Sequence, residues 1–464
     1  MHFGISFTKV KRAFTRIIAI VFCFSLIAPS LLIPNARAQG LGLIRDAEIE
    51  GLMRLYSRNI FKAAGLNPRA VNVYLINQPS INAFVAGGQR IFIHTGLLQK
   101  AKTPGEVIGV IAHETGHIAG GHLARLGNEL DKASNYAIIS MLLGMGAIVG
   151  GAMAGSENVS KVGQAAIFGG QNAAKRNVLS YIRAQEASAD QAAIRYLTKT
   201  RQSGQGMLDL FNTLATQSLG SLRHTDPYVQ SHPMPFQRIN NLKRLVKKSK
   251  FYKRKDPAGL MLRHRLMQAK LDGFISSPRV VYRKYPKSDQ SLYARYARAI
   301  VTFRSGDIRN AIPLIDGLIK TIPQNPYFWE LKGQALIENG QPARAIKPLK
   351  VAIKQTNGNG LISMLLAKAY LGAGGKKNAK KALKVLIRAK RHENQSADLH
   401  LLLARAYAVS GRIAQAELET AEAAIRTGDK QLAQSKARKA MKRMKRGSPG
   451  WQRAKDIVNF AGRK

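Results

Sequence analysis

The chain has 464 residues, 45% of them hydrophobic and 21% charged. That is globular composition with apolar mass for about three domains, and it excludes wholesale disorder and collagen-like repetition. Charge is the anomaly: 73 Lys and Arg stand against 26 Asp and Glu, for a net +47. The single cysteine, Cys23, excludes a disulfide framework, a Cys-ligated metal site and a cysteine nucleophile in the folded body.

Lys9, Lys11, Arg12 and Arg16 precede an apolar run over residues 17–33, and Ala36-Arg37-Ala38 follows before Gln39. A basic head, an apolar middle and a small-x-small exit predict a cleaved secretory signal over residues 1–38. An uncleaved anchor helix is the alternative. An exported chain seldom meets nucleic acid, so the basic excess predicts other partners: anionic lipid headgroups, lipopolysaccharide or acidic proteins. The densest basic stretch, residues 430–464, holds twelve Lys and Arg against Asp456, with only Trp451 and Phe460 to stack on bases. A solvated helix face would account for it equally well.

Residues 71–76 and 90–94 read as strands of a small sheet, with Asn82, Ala83 and Phe84 between them as its edge. An extended peptide can add to such an edge through main-chain hydrogen bonds, with little side-chain selectivity. Thr103-Pro104-Gly105-Glu106 is a capping box with proline at the first helical position, and Val107, Ile108, Val110 and Ile111 continue an apolar face. The same helix carries His113-Glu114-Thr115-Gly116-His117. Residues four apart lie about 40° apart around a helix, so His113 and His117 project together and can share one metal. Glu114 is suited to take a proton from water activated there. Two histidines and a glutamate on a surface stripe is the bland alternative.

A zinc site of this kind needs a third protein ligand. One class of zinc motif has a histidine six residues after the second, but Leu123 stands there. His122 would point about 140° away from His117 on a continuing helix, so it reads as structural or as supporting a ligand from behind. Glu186 and Asp190 are the better candidates, four apart in a strong helix former. Glu186 can ligate, while Asp190 can receive the N–H of a ligating histidine and fix its tautomer. Like charges at this spacing repel, which favours a nearby cation; a solvated acidic face is the alternative. Between the two motifs, residues 136–154 carry no charge and reach the length of a membrane span. A flap inserting in a membrane surface, a buried core helix and a true span all stay open.

Lys247, Lys248, Lys250, Lys253, Arg254 and Lys255 mark a basic connector over residues 246–287. Beyond it the chain repeats. Small residues recur at Ala299, Gly333, Ala367 and Ala404, and again at Ala311, Ala345, Ala382 and Ala416. The steps of the first set are 34, 34 and 37, the last lengthened by the glycine-rich residues 371–375. That period belongs to tetratricopeptide helix hairpins, where small residues let paired helices cross closely. The expectation is an α-solenoid of about four repeats with a basic terminal capping helix, binding protein on its concave face. An irregular helical bundle is the alternative.

H-E-x-x-H followed by E-x-x-x-D, after Asn82-Ala83-Phe84 and Gly88, resembles the gluzincin metallopeptidases related to HtpX, Oma and the CAAX-prenyl proteases. A signal peptide and a tetratricopeptide tail narrow the resemblance to the periplasmic BepA-type proteins of Gram-negative bacteria. The resemblance implies one Zn2+ per chain on His113, His117 and Glu186, with Glu114 as general base and Asp190 in support. The segment from Ser231-His232-Pro233 to Arg238-Ile239 resembles the family's H-P-x-x-x-x-R-I sequence. It implies His232 as a removable plug at the fourth zinc position and Arg238 as support for an oxyanion. Without the family, His-Pro in a loop is a turn signal.

The expected fold is α+β: a mostly helical zincin-like metalloprotease domain with a small β-sheet over residues 39–245, the helical connector, then an all-α tetratricopeptide solenoid over 288–464. The expected function is a periplasmic zinc endopeptidase, peripheral to the outer membrane, that degrades misassembled envelope and outer-membrane proteins. Its expected partners are peptide substrates, the outer-membrane assembly machinery through the solenoid, and a membrane surface. The other reading is an assembly factor or chaperone acting through its repeats, its zinc site mostly capped.

Overall fold

The computed structural model describes residues 42–126, 128–129, 157–220, 228, 232–233 and 236–462, with the side chains of 157–175 and 217–220 left aside. The expected signal over 1–38 and the uncharged stretch 136–154 lie outside the described residues. Among the described residues no helix is long and apolar enough to cross a membrane.

Four strands form one sheet: β1 (Leu43–Ile44), β2 (Asn72–Ile76), β3 (Ala83–Ala86) and β4 (Arg90–His94), in the order β1-β2-β4-β3. β2 and β4 run parallel, and β1 and β3 pair antiparallel to their neighbours. Strand alternation sends Val73, Leu75, Ala83, Val85, Ile91 and Ile93 into the core and leaves Tyr74, Phe84 and Phe92 on the other face. β3 is a terminal strand of the sheet, where the sequence placed the edge.

Helix α1 (Ala47–Ala63) packs beneath the sheet, and its N-cap Asp46 accepts from the Ile49 amide at 2.9 Å. After the short α2 (Thr95–Lys100) comes α3 (Pro104–Ala119), which carries both candidate histidines. The expected cap is present: Thr103 accepts from the Glu106 amide at 3.3 Å, and the Glu106 carboxylate reaches back to the Lys102 amide at 2.9 Å. α3 is buried along most of its length, against α4 (Glu157–Lys199) and α5 (Gln205–Gly220). Gly116 permits the close approach to α4. A Cβ there would lie 3.0 Å from the Ala189 Cα and carbonyl oxygen, tighter than side chains tolerate. Helix α6 (Phe236–Lys248) closes the domain over α4 and α5.

The basic run does lead into a connector, but its helix α7 (Ala258–Ile275) is a wedge with polar residues in its interior face. Buried Gln268 donates to the Leu98 and Ala101 carbonyls at 3.0 and 2.7 Å, and His264 lies 2.9 Å from the Ala101 carbonyl. These contacts saturate the C-terminal carbonyls of α2, which would otherwise be buried without partners. On its other side α7 packs on the first solenoid helix, with α8 (Pro278–Lys284) between.

Helix hairpins then follow the small-residue register: α9 (Leu292–Arg304) with α10 (Ile308–Thr321), α11 (Pro326–Glu338) with α12 (Pro342–Gln355), α13 (Gly360–Gly372) with α14 (Gly375–Glu393), and α15 (Ala397–Val409) with α16 (Ile413–Arg426). Gly333 shows why small residues sit at the crossings, since a Cβ there would meet Leu349 at 2.4 Å. The expected single capping helix is corrected to a fifth hairpin, α17 (Lys430–Arg443) and α18 (Pro449–Ala461). Ser448-Pro449 breaks the basic stretch and restarts it with a Ser448 cap, so that Ala433, Ala437, Ala440 and Ala454 close against one another.

Candidate metal centre

The crossing of α3 on α4 at Gly116 sets His113 and His117 opposite Glu186. The two Nε2 atoms lie 3.0 Å apart, and each is 3.3 Å from one oxygen of the Glu186 carboxylate. His232 joins them from the segment before α6, its Nδ1 3.0 Å from Glu186 Oε1 and 3.4 Å from His113 Nε2. One ligand atom from each of these four residues falls within 4.8 Å of all the others.

Each ligand is held from behind. His113 Nδ1 lies 2.9 Å from Asp190 Oδ1, which keeps the proton on that nitrogen and turns the Nε2 lone pair toward the cluster. His117 is oriented by His122, whose Nδ1 lies 3.0 Å from His117 Nδ1. The straight-helix projection of His122 does not apply, because α3 ends at Ala119 and Gly121, at φ +62°, turns the chain back. Arg238, in the first turn of α6, is fully engaged: Nε and Nη2 bond both Asp190 oxygens at 2.7 and 2.9 Å, and Nη1 lies 2.7 Å from Glu186 Oε2 and 3.1 Å from the Pro233 carbonyl.

The electrostatics follow from burial and from the carboxylates. Burial resists charging of His113, but Asp190 and Glu186 outweigh it and lift the imidazole to about 9. Burial dominates at His117 and takes it down to about 4. Desolvation works against Glu186 too, yet the three histidines hold its carboxyl far below the usual range. At Asp190 the Arg238 guanidinium overcomes desolvation in the same direction. Glu114 goes the other way, raised by burial, with His232 and His113 only partly opposing.

This donor set fits a divalent cation. Two imidazole nitrogens facing each other at 3.0 Å can share at most one proton, and a divalent cation that displaces it would take both lone pairs together with the Glu186 carboxylate. Glu114 Oε1 is buried, has no hydrogen-bond partner among the described residues, and lies 3.4 Å from His232 Nε2. An orphaned carboxylate oxygen beside a cluster of ligands is a common mark of a functional group.

The structure therefore brings together His113, Glu114, His117, Glu186, Asp190, His232 and Arg238. Asn82, Ala83 and Phe84 stand apart from them, at the sheet edge whose core face packs on α3. Asn82 is buried, its carbonyl accepting from the His94 amide at 2.9 Å while its Oδ1 has no partner among the described residues. Sequence reading missed Phe211 and Tyr228. Phe211 lies edge-on to His113 at 5.7 Å and beneath the Arg238 guanidinium at 5.2 Å. Tyr228 stacks on His232 at 4.7 Å and accepts the His232 amide on its carbonyl at 2.7 Å. The available signal was its position four residues before His232, one helical turn.

Residues 46–246 match the model of peptidase family M48, and residues 296–360 and 364–431 match a tetratricopeptide repeat. The chain is 24% identical over 305 residues to the beta-barrel assembly-enhancing protease of Yersinia pestis, covering 64% of this chain and 60% of that protein. It is 25% identical over 401 residues to the protein of the same name from Escherichia coli K12, covering 79% and 77%. Metalloprotease YcaL of Escherichia coli K12 is 31% identical over 187 residues, covering 40% of this chain and 66% of that protein. The chain carries a peptidase family M48 domain, that of a metalloendopeptidase, followed by a C-terminal array of tetratricopeptide repeats.

Proposed function

We propose that the chain is an exported, zinc-dependent endopeptidase of the periplasm that cuts misassembled outer-membrane proteins, with its solenoid docking it to their assembly machinery. The observation that carries the chemistry is the convergence of His113, His117 and Glu186 beside a buried Glu114 oxygen that accepts no hydrogen bond among the described residues. Support for the setting comes from the signal-like residues 1–38 and from the names of the relatives.

His113 Nε2, His117 Nε2 and Glu186 would hold the ion. Zinc held there would supply Lewis acidity toward a peptide carbonyl and water. Glu114 takes the proton of the attacking water and delivers it to the departing amine. Asp190 and His122 keep the two imidazoles in the tautomer that faces the cluster. Arg238 is assigned as a brace in place of oxyanion support, since Asp190, Glu186 and Pro233 engage its guanidinium. Among the described residues β3 is a terminal strand of the sheet, an edge to which a substrate strand can hydrogen-bond.

His232 favours the second reading, an assembly factor with a capped site. Its ring sits among the ligands with Nε2 toward Glu114, where water must come. The two readings separate on Glu114→Gln. We expect that variant to keep its metal and lose kcat for casein by a factor of about 10²–10⁴. If it fully restores outer-membrane integrity in a deletion strain, the assembly role takes precedence. His232→Ala should raise cleavage; unchanged or lower activity would remove the plug.

A further inference from the structure

On the sheet face away from the core, three rings stand in a row. Tyr74 and Phe92 are register partners across β2 and β4, with ring centroids 5.3 Å apart and planes 22° from parallel. Phe84 and Phe92 are partners across β3 and β4, again 5.3 Å apart, at 17°. His94 closes on the edge of Phe84 at 6.1 Å and is itself 2.8 Å from the Ser80 hydroxyl. Phe92, in the middle of the row, is buried, while Tyr74 and Phe84 on either side of it remain half-buried. The ladder ends at Phe84 because β3 ends the sheet.

We propose that this ladder selects the substrate: the protease takes extended segments with an aromatic or bulky apolar residue at every second position, one of which stacks on Phe84 as the next ring. The inference rests on the reading that substrate strands add to β3. A strand added there lies about 4.8 Å away, and its side chains alternate between faces. The residue opposite Phe84 then comes within about 4.5–5.5 Å between Cβ atoms, the spacing of cross-strand pairs such as those already stacked. Its two neighbours fall on the side of Ala83 and Val85, which pack with α3 in the core, the helix of His113 and His117. Selectivity thus enters on the Phe84 face, while the main chain hydrogen-bonds to β3 in the plane of the sheet. The sequence reading of an edge with little side-chain selectivity misses this, because a ladder is visible only once the register is known. Strands of outer-membrane barrels carry this alternation, with aromatic girdles at their ends.

The test is peptide binding by the full-length Glu114→Gln chain loaded with zinc, followed by fluorescence anisotropy. Two labelled peptides of equal length are compared, one alternating Tyr and Thr, the other alternating Ser and Thr, so that only the first can set a ring opposite Phe84. The Tyr peptide should bind about three- to tenfold more tightly, as an added aromatic pair provides. Adding Phe84→Ser should abolish that preference. Phe84→Leu, which keeps apolar packing without the ring, should reduce the preference, and it serves if the serine variant does not fold. Equal binding of the two peptides, or a preference that survives both substitutions, overturns the proposal. Cleavage by the unsubstituted chain separates the two readings: preference without cleavage counts against the protease, and cleavage without preference counts against the ladder.

Discussion

Two of the buried charge clusters among the described residues differ in one respect that decides their roles. The metal centre sets Glu114, Glu186 and Asp190 against Arg238 and the histidines. Between the domains, Lys270 of α7 meets Asp46 at 2.7 Å, Glu48 at 3.4 Å and Glu330 of α11 at 3.5 Å. There the ledger of protons and lone pairs closes: three ammonium protons face three carboxylates, and the Tyr296 hydroxyl donates to Glu48 at 2.9 Å. In the metal centre it does not close, with imidazole nitrogens turned on each other and a Glu114 oxygen left over. A set of buried acids is therefore no site in itself. The surplus of lone pairs marks the place for a cation, and the saturated cluster is a clamp joining α1, α7 and α11.

The sharpest way to break the comparison is to remove the cation that the clamp already has. Burial works against Lys270, but its carboxylates outweigh that and hold the ammonium well above its ordinary value. Lys270→Met keeps the volume and leaves buried carboxylates without a partner, which typically costs about 3–5 kcal/mol. Urea unfolding near neutral pH should show that loss, with kcat per folded molecule unchanged. A variant that stays stable but loses its metal would show that the two clusters are not separate.

The complementary change leaves a metal ligand in place and removes its support. Asp190→Ala takes away the partner of His113 Nδ1, and we expect metal affinity to drop about 10- to 100-fold in competition with a chelator. His122→Ala should weaken it less, because a neutral imidazole orients His117 without the charge that Asp190 brings to His113. Equal, negligible effects from both would mean that the imidazoles are oriented by packing alone.

What sequence made legible was local. His113 and His117 share a face because they are one helical turn apart, and the same spacing pairs Glu186 with Asp190. The helix start at Thr103-Pro104 could be read from capping chemistry, and the solenoid from the recurrence of small residues at crossings such as Gly333. Features that depend on meeting at long range left no pattern. Glu48, Lys270 and Glu330 are hundreds of residues apart at the extremes, and α7 hides its buried Gln268 and His264 behind a run of lysines that read only as a basic helical connector. Phe211 sits in an ordinary apolar stripe of α5. His122 does support a ligand from behind, as read, but it reaches His117 through a glycine turn that the sequence reading did not place there.

The smallest effect tests whether the clamp is closed to water. Burial raises the Glu330 carboxyl; Lys270 pulls it down while Asp46 and Glu48 push it up, and the result is a rise from 4.5 to about 7. Glu48 is displaced in the same direction, chiefly by burial. An acid whose folded value is raised contributes stability that is complete below its unfolded value and is lost as pH climbs through the folded one. The folded chain should thus lose stability between about pH 4.5 and 7 on account of Glu330, while Lys270 stays charged throughout. Glu330→Gln keeps the shape and removes the titration, so its urea midpoints should follow a flatter course over that range than those of the unsubstituted chain. Taking the difference between the two curves cancels the histidines of the metal centre, which titrate in both. Parallel curves would mean that Glu330 ionises as a solvated carboxyl does, and the contrast between a closed clamp and an open metal centre would be lost.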